Sequence, residues 1–135
     1  MSLKTSNLTK NEVIFYQEIS MMGFTKLHIV DGIIKNNHSH SPPYIGPTDQ
    51  KISQNKIQHF WNRMDEINIW KIKKKYPYGK SAHLIEICDG IRWELRLRNK
   101  SGFVKVSSGY NSYPRVYKLL LKELNTLFNI DMEIY

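Results

Sequence analysis

His38 and His40 stand two residues apart, a spacing at which two imidazoles can begin a metal site. No third or fourth ligand follows at a recognisable spacing, so the pair reads as part of a polar loop. Glu86 is the carboxylate of most chemical interest, because burial near Trp93 would raise its pKa and suit it to proton transfer. With His83 and Tyr113 it would outline a small-molecule pocket; a partner among the neighbouring cations is the plainer expectation. Cys88 is the only cysteine, which excludes an intramolecular disulfide. Beside Asp89-Gly90 it reads as a small strand-end residue rather than a nucleophile. Gly-rich phosphate loops, nucleophile elbows and His-Glu-x-x-His runs are all missing from the sequence. The sequence therefore nominates no catalytic, cofactor or metal-binding residue, and the chain reads as a binding protein rather than an enzyme.

Cations make the stronger pattern. The formal net charge is +8, and it is unevenly placed. Residues 1–67 hold seven Lys/Arg against six Asp/Glu, whereas residues 68–135 hold thirteen against six. Such asymmetry favours anionic partners through a long-range attraction that salt screens. In Ile91-Arg92-Trp93-Glu94-Leu95-Arg96-Leu97-Arg98, apolar and charged residues alternate, as in a strand with one dry face and one cationic face. Arg92, Arg96 and Arg98 are thus expected on one surface, with Lys71, Lys73, Lys75 and Lys105 joining them. Tyr76, Tyr110 and Tyr113 lie nearby in sequence and are candidates for stacking or for partner contact. Glu94 interrupts the row.

These residues need a scaffold. Residues 12–20 and 24–30 are rich in β-branched and aromatic side chains and read as strands. Asp31-Gly32 then suits a type I′ turn into a short partner at 33–35. Residues 36–51 form a long loop by composition, and residues 1–11 a flexible tail. Ser53 is a good N-cap for a helix over 53–66, with Ile52 and Ile57 at hydrophobic-staple positions and Ile57, Phe60, Trp61, Met64 and Ile67 at helical spacing. Residues 68–75 read as a strand with Trp70 and Ile72 on one face. Residues 82–88 and 91–98 read as a hairpin through Asp89-Gly90, and 103–107 as the next strand. A last helix starts near Pro114, with Ser112 as a cap and Val116, Leu119, Leu120, Leu124, Leu127 and Phe128 as its buried stripe.

The order Asp89-Gly90-Ile91-Arg92-Trp93-Glu94-Leu95, then Gly109-Tyr110-Asn111-Ser112-Tyr113-Pro114 and a leucine-rich helix, resembles a group of small uncharacterised bacterial proteins. They share an Asp-Gly-x-x-Trp-x-Leu strand and a Gly-x-Asn-x-Tyr-Pro helix start. The likeness spans roughly residues 55–128. It implies an α+β domain in bacteria and brings no activity, cofactor or site residue with it.

With 41% hydrophobic and 24% charged residues, the composition is that of an ordered globular chain. The first ten residues lack the apolar centre of a signal peptide, and no apolar run approaches the ~20 residues of a membrane span. A cytoplasmic location follows as the expectation. The expected architecture is one α+β domain over residues 1–135, an antiparallel sheet of about six strands with two amphipathic helices on one face. The expected function is recognition of a protein partner, with nucleic-acid binding by the basic sheet face as the alternative and a small-molecule enzyme third.

Overall fold

The structure, a computed structural model, describes residues 11–19, 23–35, 37–38, 50–77 and 90–132. Strand β1 (Glu12–Ile19) pairs antiparallel with β2 (Gly23–Val30), which turns at Asp31-Gly32 into the two-residue β3 (Ile33–Ile34). The turn has φ of 52° at Asp31 and 83° at Gly32, the pair of positive values that a type I′ hairpin demands. A further short strand, β4 (Asn37–His38), also pairs with β2. After helix α1 (Gln54–Glu66) and a 3-10 turn (Ile69–Lys71) come β5 (Lys75–Tyr76), β6 (Ile91–Arg98), β7 (Val104–Tyr110) and helix α2 (Tyr117–Phe128). Along the sheet the order is β3-β2-β1-β6-β7-β5. All pairs are antiparallel except β5 with β7, so the α+β class holds and the sheet is mixed.

One face of the sheet is dry. Val13 and Phe15 of β1 lie opposite Ile29 and Leu27 of β2 and opposite Leu97 and Leu95 of β6, all of them buried. The buried stripes of both helices belong to the same core cluster as these residues. Helix α2 meets the sheet through Tyr117, whose ring lies 5.2 Å from Trp93 and 6.3 Å from Phe15 and whose hydroxyl donates to the buried Gln17 Oε1 at 3.0 Å. The two helices are tied by Arg63 of α1, whose Nε donates to the buried Glu123 of α2 at 2.9 Å. Ser53 caps α1 as its sequence suggests, its Oγ accepting from the Lys56 N–H at 3.2 Å.

Several expectations need correction. Residues 68–74 do not form a strand, and only Lys75 of the expected one enters a strand, as the first residue of β5. Asn68 takes the left-handed conformation at φ 58°, ending α1 and folding the chain back, so that Trp70 stacks on Trp61 at 6.1 Å and donates to Asp65 Oδ1 at 2.7 Å. Asparagine tolerates this backbone; the apolar alternation of Trp70 and Ile72 had mimicked a strand. The expected hairpin partner at 82–88 lies outside the described residues. The expected loop over 36–51 contains β4, and Lys51 bridges to Ile33. Residues 1–10 of the expected tail lie outside the described residues, whereas Asn11 is buried and its carbonyl accepts from the Asp31 N–H at 2.9 Å. Ser112 does not cap α2. The helix begins three residues after Pro114, and the Ser112 carbonyl instead accepts from the Trp93 indole at 2.8 Å. Leu119 is left out of the core at 43% exposure.

Candidate binding face

Opposite the core, alternate residues of β2, β1, β6 and β7 fall into four cross-strand rows. Val30, Glu12, Arg98 and Val104 make the first, and His28, Ile14, Arg96 and Val106 the second. Lys26, Tyr16, Glu94 and Ser108 follow, then Phe24, Glu18, Arg92 and Tyr110. The expected side of Arg92, Arg96 and Arg98 is therefore correct, and β5 brings Lys75 alongside Ser108.

Charges on this face interleave. Arg96 Nε donates to Glu12 Oε1 at 3.2 Å, and His28 Nε2 lies 3.7 Å from the other oxygen of that carboxylate. Tyr16 donates to Glu18 at 3.2 Å and lies 5.5 Å from the Phe24 ring. Partial burial, and then the Glu18 carboxylate, hold the Tyr16 phenol above its ordinary pKa, so it stays a hydrogen-bond donor. The Arg92 guanidinium lies over the Tyr110 ring at 5.9 Å. These rows floor a cleft of about 880 Å³. Its lining carries five cations, Lys26, Lys74, Lys75, Arg92 and Arg96, against the single carboxylate of Glu94. Ile14, Tyr16, Phe24 and Val106 supply its apolar surface.

The remaining predicted residues scatter. Lys105 faces the core side, in register with Leu97, and its Nζ donates to the Ile72 carbonyl at 2.6 Å. Lys71 sits in the 3-10 turn, exposed, and Lys73 precedes β5 with its ammonium 6.0 Å above the Tyr76 ring. Tyr76 packs on Trp93 at 5.9 Å, on the core side of the sheet. Tyr113 lies beside α2, 4.6 Å from Tyr117, where burial raises its pKa. Of the three tyrosines only Tyr110 is on the face, so they form no shared stacking platform. Glu86, His83, Cys88 and His40 lie outside the described residues, as does the side chain of His38.

The inversion of β7 explains much of this. Alternation in Phe103-Val104-Lys105-Val106-Ser107 predicts inward valines and an outward lysine; the structure has the reverse. The register is set from both ends. At one end Asn99 Oδ1 accepts from the Ser101 and Phe103 N–H groups at 3.0 Å each, and Gly102 at φ 89° closes a turn that pairs Arg98 with Val104. At the other, Gly109 lies opposite Trp93, and a Cβ there would come within 2.6 Å of the Trp93 indole nitrogen. Only glycine admits the indole. The polar residues turned inward are bound: Ser107 Oγ donates to the Lys73 carbonyl at 2.6 Å. The valines turned outward are 50% and 40% exposed, and Phe103 before them is 62% exposed with its ring 6.0 Å from Trp70.

Lys26, Lys74, Tyr16 and Phe24 escaped sequence reasoning as members of this face. Their alternation was visible, but their neighbours depend on strand order. No protein-family model matches the chain, and comparison with curated proteins and with solved structures returns no significant match. Among the described residues no three His, Cys, Asp or Glu side chains group as metal ligands would, and no described helix is long and apolar enough to cross a membrane.

Proposed function

We propose that the chain is a non-enzymatic module that docks a protein partner along the outer side of β7. The observation that carries this reading is the outward pair Val104 and Val106, held out by a register that their own hydrophobic pattern opposes. Exposed apolar groups against the pattern mark binding surfaces more often than folding needs. Arg98 and Arg96 lie directly across from Val104 and Val106, and arginine is enriched in interface hot spots.

The test is retention of proteins that copurify from the native host by wild type, Val104→Asp and Val106→Asp, with circular dichroism to verify folding. Loss of the same partner by both folded variants supports the reading; full retention by both removes it. Nucleic acid is the second reading, favoured by the five cations of the cleft. Glu12, Glu18 and Glu94 among them oppose a continuous phosphate track. Binding to a pool of single- and double-stranded nucleic acid that falls about 10³-fold between roughly 50 and 200 mM salt would favour it over protein docking.

A further inference from the structure

The cleft on the outer face shares Arg96 and Val106 with the docking strip, but its lysines and its aromatic rings lie outside that strip. Its volume of about 880 Å³ lies in the range of small-molecule sites. Its two ends differ. On the β1 and β2 side, the Tyr16 and Phe24 rings lie 5.5 Å apart beside Ile14. Towards β5 lie Lys74, Lys75 and Arg92, with Ser108 between them. Among the described residues neither Lys74 nor Lys75 is ion-paired through its side chain. From β1 to β5 is three strand spacings, roughly 14 Å.

We propose that this cleft binds a small amphipathic anion, an apolar or aromatic body of about 10–14 Å bearing one carboxylate, sulfonate or phosphate group. The body lies over Tyr16 and Phe24, where it displaces water from apolar surface. The acid group points to Lys75, Lys74 and Arg92. Charge complementarity selects the sign: five cations line the cleft against the carboxylate of Glu94, with Arg96 also held by Glu12, so the surplus that meets a ligand is positive. A cationic ligand would be repelled, and a neutral one would leave the ammonium groups of Lys74 and Lys75 without an anion. Lysines at the lip are an economical choice, because a mobile ammonium meets an acid group of any geometry.

The probe is 8-anilinonaphthalene-1-sulfonate, with N-phenyl-1-naphthylamine as the same aromatic body without the sulfonate. The expected result is saturable one-to-one binding of the sulfonate that raises the thermal midpoint, which assigns it to the folded state. The neutral analogue should bind about tenfold more weakly or worse, as should the sulfonate to Lys75→Glu or Arg92→Glu, the loss that follows from one charge-assisted contact. Lys122→Glu changes net charge equally from the exposed side of α2 and should leave binding intact, as should Val104→Asp, which separates this site from the docking strip. Three results would overturn the proposal: no saturable binding to wild type, equal affinity for the neutral analogue, or equal weakening by Lys122→Glu and Lys75→Glu.

Discussion

The two faces of the sheet are built from the same strands and obey different rules. Residues 93, 95 and 97 of β6 are at most 1% exposed, whereas Arg92, Glu94 and Arg96 between them are exposed. On the inner face each side chain has many neighbours, and its size is constrained by all of them. On the outer face the contacts are ion pairs, ring edges and water, and few of them specify a unique side chain. Stability is thus concentrated on one side of a layer one strand thick, and side chains on the other side are less constrained by packing.

The sharpest way to break this contrast is to remove what covers the inner face. A chain ending at residue 113 loses α2, and with it seven residues of the buried stripe; it should show no cooperative unfolding transition by circular dichroism. A two-state transition in that fragment would mean that the sheet does not depend on the helix. Next in size is Trp93→Ala, which empties a site of 0% exposure and strands the Ser112 carbonyl. It should cost about 3–5 kcal/mol in urea unfolding, while Arg92→Ala, its immediate neighbour on the outer face, should stay within about 0.5 kcal/mol. Comparable losses at the two positions would erase the distinction.

Gly109→Ala tests whether the inversion of β7 rests on the Trp93 contact. Overpacking there should cost about 1–3 kcal/mol, and Trp93→Phe in the same chain should recover part of it as a favourable coupling. Strict additivity would show that the indole does not hold the register.

The smallest expected effect separates the faces by pH. Burial holds the Tyr117 phenol well above its ordinary value. Below pH about 10 both folded and unfolded chains keep that proton; above it the unfolded chain releases a proton that the folded chain retains. Stability should therefore fall as pH rises past about 10, and Tyr117→Phe should flatten that limb without abolishing it, since Tyr16 and Tyr113 are shifted the same way. An unchanged slope would mean that the inner-face tyrosine contributes nothing to it.

Wherever periodicity and local chemistry agreed, the fold was legible. Ser53 with Ile52 and Ile57 announced α1, Asp31-Gly32 announced its hairpin, and the alternation of residues 91–98 separated Trp93 from Arg92. The misreadings share a cause. Trp70 and Ile72 alternate like a strand, yet one left-handed Asn68 turned Trp70 onto α1; Lys105 and Val106 alternate like their neighbours, yet the turn at residues 99–102 fixed the opposite phase. In each case a single backbone conformation outweighed a pattern of a few residues.

By itself the sequence determined the class of the fold, the dry stripe of each helix and the split of β6 into apolar and charged faces, because these follow from periods of 3.6 and 2 residues within one element. Only the tertiary structure decided which cations meet. Lys26, Lys74 and Lys75 join Arg92 and Arg96 because β1 lies between β2 and β6 and because β5 adds in parallel to β7, pairings between segments up to about eighty residues apart. No local period encodes such pairings, since they are settled by how the whole core packs.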